Sequence, residues 1–144
     1  MTARQSTACL PILLGLCVSL AVPSGGAYAA EEKPYTVKDG KVDKGTFNGW
    51  RRYTESCLRC HGPDGAGSSY APDLLESLKS ISEDQFNETV VNGRVNVSQA
   101  KQNVMPAFGT VEDVVLYLHD IYAYLKARSD GVLGRGRPQR FEQQ

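Results

Sequence analysis

The chain has 144 residues, room for one domain, and its sixteen basic and sixteen acidic side chains give a formal net charge of zero. That balance offers no broad basic surface for nucleic acid. Four cysteines, two histidines and two methionines are few enough that each can be placed individually.

Arg4, the apolar run from Leu10 to Val22 and the small-residue closure Ala27-Tyr28-Ala29 form the pattern of a secretory signal peptide, with cleavage near Ala29. The run contains Pro11, is followed by Pro23, and falls short of the ~20 residues a membrane span needs. Residues 1–29 are therefore expected to be removed on export to the periplasm, leaving no stable membrane insertion. Cys9 and Cys17 leave with them. The mature chain keeps Cys57 and Cys60, with fifteen basic against sixteen acidic side chains. No further pair remains for a structural disulfide.

Residues 30–44 are polar and read as a loose N-terminal extension. The domain is expected over 45–129. Phe47, Trp50 and Tyr53 recur at three-residue spacing and put three aromatics on one helical face leading into Cys57. Gly62 to Pro72 is rich in Gly, Pro and Ser and reads as loop, with a short helix over Asp73–Leu78. Ser82 and Gln85 form a capping box for a helix that presents Phe86, Val90 and Val91 inward and stops at Gly93. Arg94 to Gly109 reads as irregular. Thr110 with Asp113 is expected to cap the longest helix, with Val111, Val114, Val115, Leu118, Ile121, Tyr122 and Leu125 as its apolar stripe. It should end by Asp130-Gly131. Residues 130–144 form a basic tail around Arg135, Arg137 and Arg140. Without a ligand or an apolar stripe, the tail is expected to be dispensable for the site. The pattern contains no evident strand, so the fold class is all-α. Short helices and long loops make a poor core unless an apolar group sits at the centre.

Cys57-Leu58-Arg59-Cys60-His61 is C-x-x-C-H, the attachment signature of c-type haem. Two thiols on one helical turn can add to the two vinyl groups of one haem c, and the next residue, His61, can then offer an imidazole nitrogen to the iron. A thioredoxin-like dithiol would need a βαβ setting that this pattern lacks, and a structural zinc site would need four ligands. A second axial side chain could be Met105 or His119. Met105 is the only methionine after the signal segment and lies in a loop before Pro106, whereas His119 falls off the apolar stripe. Met105 is favoured, and a thioether there would raise the reduction potential. A ligand histidine usually donates its other ring N–H to an acceptor, and the Pro72 carbonyl is a candidate.

With Cys57, Cys60 and His61 near a first helix, Pro72 in the next loop, Met105-Pro106 and a terminal helix, residues 45–129 resemble the class I cytochromes c. That resemblance implies crossing N- and C-terminal helices, with Phe47, Trp50 and Tyr53 packed on Leu118, Ile121, Tyr122 and Leu125. Longer strings point to a subgroup: Asn48 to Tyr53, His61 to Gly65, Ser68 to Pro72, Val104 to Gly109, and Asp120 to Arg128 with the Gly-Arg-Gly-Arg-Pro tail. They are similar to the methanol-metabolism-related cytochromes c that serve quinoprotein (PQQ) alcohol dehydrogenases. The resemblance implies covalent haem at Cys57 and Cys60, with His61 and Met105 as axial ligands. It also implies a periplasmic one-electron carrier, not an enzyme, between such a dehydrogenase and a terminal oxidase or another cytochrome. The alternative is a haem sensor or small haem enzyme with an open sixth position, in which Met105 would be a core residue alone.

Overall fold

The computed structural model describes residues 32–97 and 102–141. The expected signal segment lies outside the described residues. Among them are six α-helices and five short strands, a mostly helical fold consistent with the expected all-α class I architecture.

Strand β1 (Val37–Lys38) and β2 (Lys41–Val42) pair antiparallel around Asp39-Gly40. Both turn residues have positive φ, 51° and 74°, the geometry that favours Asp-Gly in tight hairpins. Helix α1 (Lys44–Ser56) follows, capped by Asp43, whose side chain accepts from the Thr46 amide at 2.9 Å and the Thr46 hydroxyl at 2.7 Å. Asp43 also accepts from the Thr36 amide at 2.6 Å, tying the hairpin to the helix start. Burial alone would raise the Asp43 carboxyl, but these bonds from Thr46 and Thr36 hold it below the usual carboxylate range.

Helix α2 (Leu58–His61) continues from α1 after Cys57. A 3₁₀ turn at Pro63–Gly65 leads to α3 (Leu74–Ser77), and α4 (Glu83–Asn92) starts at the expected Ser82–Gln85 capping box. Strands β3 (Arg94–Val97) and β4 (Gln102–Met105) then form an antiparallel hairpin with Val95 opposite Val104. The stretch expected to be irregular is thus partly strand. β-branched residues alternate with polar ones in Arg94-Val95-Asn96-Val97, a period of two that suits a strand.

The expected single helix after Thr110 is two: α5 (Glu112–Val115) and α6 (Leu118–Ser129). Thr110 lies one residue outside the N-cap position, which Val111 holds with no side-chain bond. The Arg52 guanidinium pairs with Asp113 at 3.1 Å and covers the Tyr117 ring at 4.5 Å, so α5 is pinned to α1 on its own. Val111, Val115 and Leu116 are consequently exposed.

Helices α1 and α6 cross, as expected, but the contacting face of α1 is displaced from the aromatic spacing. Thr46, Gly49 and Tyr53 are buried there, while Phe47 and Trp50 are half-buried beside them. The absence of a side chain at Gly49 lets α6 approach, and Tyr53 packs its ring on Tyr124 at 5.6 Å between centroids. Ile121, Tyr124, Leu125 and Ala127 complete the core from α6, and Phe86 of α4 meets Tyr122 at 5.4 Å.

The described residues before α1 depart from the expectation of a loose extension, and those after α6 from that of a tail without apolar anchoring. Val42 is fully buried, Tyr35 donates to Asp130 at 2.6 Å and Lys33 pairs with Asp130 at 2.7 Å. At the other end Leu133 and Pro138 are buried, and β5 (Gln139–Arg140) adds parallel to β2. Arg137 covers the rings of Trp50 and Phe47 at 5.4 and 5.7 Å. The basic tail is held by two side-chain contributions that no local period reveals, apolar burial and cation–π contact, and by a backbone ladder.

Candidate haem site

The attachment segment is a continuation of α1. The Cys57 amide donates to Tyr53 O at 2.8 Å, and the Cys57 carbonyl accepts from Cys60 and His61 at 3.1 and 3.0 Å. One turn of helix therefore carries both sulfurs, which are not joined in a disulfide; Cys57 is half-buried and Cys60 exposed. Burial, with the Cys60 charge adding to it, pushes the Cys57 thiol up to about 11, so it is a protonated thiol at neutral pH.

His61 is buried at 8 % exposure, and its Nδ1 lies 3.3 Å from the Pro72 carbonyl oxygen. A carbonyl can only accept, so Nδ1 carries the proton and Nε2 keeps its lone pair. Burial lowers the His61 pKa, with the Pro72 carbonyl opposing, and the ring is neutral at pH 7. A neutral imidazole with one nitrogen committed to a backbone acceptor is the form that ligates a metal.

Met105 ends β4 and is half-buried against the same apolar core that Cys57 touches. Just beyond it, the Phe108 and Gly109 amides donate to the Val90 and Val91 carbonyls, both at 3.0 Å. The unsatisfied carbonyls at the end of α4 thus anchor the methionine segment. His119 sits on the exposed side of α6, with Nδ1 2.8 Å from Glu83.

The structure brings His61 and Pro72 together and places Met105 against the core. A thiol pair on one turn, a neutral buried imidazole and a thioether form a donor set that fits one covalently attached haem.

A family model described as cytochrome c oxidase, cbb3-type, subunit III matches residues 46–125. Cytochrome c-555 of Methylococcus capsulatus is 43% identical over 96 residues, covering 66% of this chain and 72% of that protein. The chain is a class I c-type cytochrome. It carries one covalently attached haem c and is an electron carrier. Cytochrome c-553I of Paracoccus denitrificans is 48% identical over 121 residues, 83% of this chain. The cytochrome spans about half of that relative, 54% of its length. The crystal structure of the c-type cytochrome XoxG from Methylobacterium extorquens AM1 matches with a TM-score of 0.66 and 39% identity, over 81% of this chain and 77% of that one.

The sequence reading missed Asp64. It is buried in the left-handed region (φ 61°), accepts from the Gly136 amide at 2.9 Å and Arg135 Nε at 3.4 Å, and pairs with buried Arg128 at 3.7 Å. Arg128 in turn donates to the Leu133 carbonyl at 2.7 Å. The cytochrome thus clasps its C-terminal segment onto the loop that follows His61. Asp64 in His-Gly-Pro-Asp-Gly reads locally as a turn residue, so no signal in the sequence marks this partnership.

Proposed function

We propose that Cys57 and Cys60 hold the haem through thioethers, that His61 and Met105 are its axial ligands, and that the cytochrome accepts electrons from a quinoprotein alcohol dehydrogenase in the periplasm and passes them towards a terminal oxidase or another cytochrome. The observation that carries the ligand assignment is the contact of His61, the last residue of C-x-x-C-H, with the Pro72 carbonyl 11 residues further on. It commits one ring nitrogen to the protein and leaves the other to the iron. When bound, the haem supplies a one-electron ferric/ferrous couple. The chain's residues fix that couple's ligands: α1 and α2 set the thiol spacing, Pro72 sets the imidazole tautomer, and the α4 carbonyls hold the Met105 segment. His119, paired with Glu83 at the surface, is poorly placed to compete.

Export rests on the pattern of residues 1–29, and no helix among the described residues is long and apolar enough to cross a membrane. The donor assignment rests on the strings resembling the methanol-metabolism-related cytochromes c, with the XoxG likeness in support. The test is reduction of the purified cytochrome by candidate dehydrogenases with and without alcohol. Alcohol-dependent reduction by a quinoprotein enzyme is the expected result. Reduction by none of them, with a full response to a chemical reductant, removes the donor assignment.

A further inference from the structure

Three successive backbone carbonyls at the end of the attachment turn have partners outside it. The Cys60 carbonyl accepts from the Ser68 hydroxyl, the His61 carbonyl from the Gly67 amide at 2.8 Å, and the Gly62 carbonyl from the Tyr53 hydroxyl at 2.5 Å. The backbones involved are stacked without room for side chains. A Cβ at Gly62, which has φ 73°, would lie 2.2 Å from the Gly67 carbonyl oxygen, and one at Gly67 would lie 2.8 Å from the Asp73 amide and 3.1 Å from the Pro72 carbonyl carbon. The strand of chain that carries the His61 ring and the strand that carries its acceptor, Pro72, are therefore in direct contact through Gly62 and Gly67.

Tyr53 is the tie between that stack and the helix crossing. Its ring is 1 % exposed against Tyr124, and its hydroxyl reaches nine residues along the chain to Gly62. A phenylalanine would fill the same apolar space, so the hydroxyl has a task that packing does not explain. Burial drives the Tyr53 pKa well above its ordinary value, which keeps the group a donor at all working pH.

We infer that Tyr53, assisted by Ser68, is a positioning residue for the haem iron: its hydroxyl fixes the pitch of the Cys60–Gly62 backbone and thereby the contact between His61 Nδ1 and the Pro72 carbonyl. This inference rests on the reading of His61 as an axial ligand. The Nδ1–H bond makes the imidazole a stronger donor, which favours ferric iron. Loosening the bond weakens donation and shifts the couple towards ferrous iron.

The test compares Tyr53→Phe, Ser68→Ala and Tyr124→Phe in the haem-loaded protein labelled with ¹⁵N-histidine. Tyr124 belongs to the same aromatic pair, but its hydroxyl donates to the Asp64 carboxylate at 3.5 Å and not to the Cys60–Gly62 backbone. Tyr53→Phe is expected to raise the equilibrium constant for reduction about threefold, roughly 30 mV for a one-electron couple. It should also speed solvent exchange of the His61 Nδ1 proton about tenfold. Ser68→Ala is expected to move both in the same direction, and it stands in for Tyr53→Phe if that variant does not load haem. Tyr124→Phe is expected to move neither. Unchanged potential and exchange in the first two variants, or an equal shift in Tyr124→Phe, overturns the inference while leaving His61 a ligand. A wild-type spectrum in which His61 is not iron-bound overturns the ligand reading itself.

Discussion

Gly49 and the Asp120 backbone touch where α1 meets α6: a Cβ placed on Gly49 would lie 1.8 Å from the Asp120 carbonyl oxygen. Asn48 secures the crossing from the side by donating to the Asp120 carboxylate at 2.7 Å. Gly45, one turn earlier on the same face, leaves 3.0 Å to that carboxylate for a Cβ. Because the obstruction is backbone and not a movable side chain, Gly49→Ala should push α1 and α6 apart. A loss of about 1–3 kcal/mol is expected, as for overpacked cores. Denaturant unfolding of the haem-loaded protein measures it, and Gly45→Ala should cost less.

Two of the three aromatics of α1, Tyr53 and Trp50, separate cleanly. Tyr53→Ala should cost about 3–5 kcal/mol, as for a fully buried aromatic. Trp50 is half-buried, meets the Phe47 ring at 5.5 Å with the planes tilted by 45°, and lies under Arg137. Trp50→Ala should therefore cost less, about 1–2 kcal/mol, within the usual range for partly buried sites. Equal losses in the two variants would place Trp50 in the crossing after all.

Removal of the residues after Asp130 takes away buried Leu133, the β5 ladder and the amide of Gly136 that bonds Asp64. The truncated chain should be markedly less stable and should load haem poorly. Asp64→Asn is the finer probe. It leaves buried Arg128 without its ion partner and should cost on the order of 3 kcal/mol, as for a broken buried pair. Haem content per chain by mass spectrometry and chemical unfolding check the two variants.

Features complete within a few residues are only partly legible in the sequence: Ser82 and Gln85 form their capping box, whereas Thr110 with Asp113 does not cap α5, whose N-cap is Val111. The C-x-x-C-H turn and the Ser82–Gln85 box declare themselves because each is complete within three or four residues. The end of α6 at Asp130 was legible for the same reason. The contacting face of α1 was not, since spacing marks Phe47, Trp50 and Tyr53 as equivalent while the close approach to α6 is at Gly45 and Gly49. The hairpin at Asp39-Gly40 had a readable turn signal, but two-residue strands are too short for any period. The clasp between Asp64 and Arg135 joins residues 71 apart, and nothing local in a Gly-Arg-Gly-Arg segment announces a partner.

Asp130 gives the fold a pH dependence of defined sign. Burial alone would raise its carboxyl, but hydrogen bonds from Lys126, Lys33 and Tyr35 outweigh it and hold the group well below the usual range. A depressed pKa contributes stability that is complete above the unfolded value of ~3.9 and is lost as pH falls through the folded one. The difference in melting temperature between the wild type and Asp130→Asn should be largest at neutral pH and narrow progressively below about pH 4. A constant difference across that range would contradict the assignment.

The measurement closest to the central claim is the visible spectrum and potential of the ferric protein beside Met105→Ala and His119→Ala. With His61 and Met105 as ligands, the wild type and His119→Ala are low-spin and show the weak far-red band of iron–thioether ligation. Met105→Ala keeps its covalent haem, loses that band, turns towards high-spin and drops in potential, because the thioether no longer favours ferrous iron. A Met105→Ala protein that retains the low-spin spectrum while His119→Ala loses it would contradict the account.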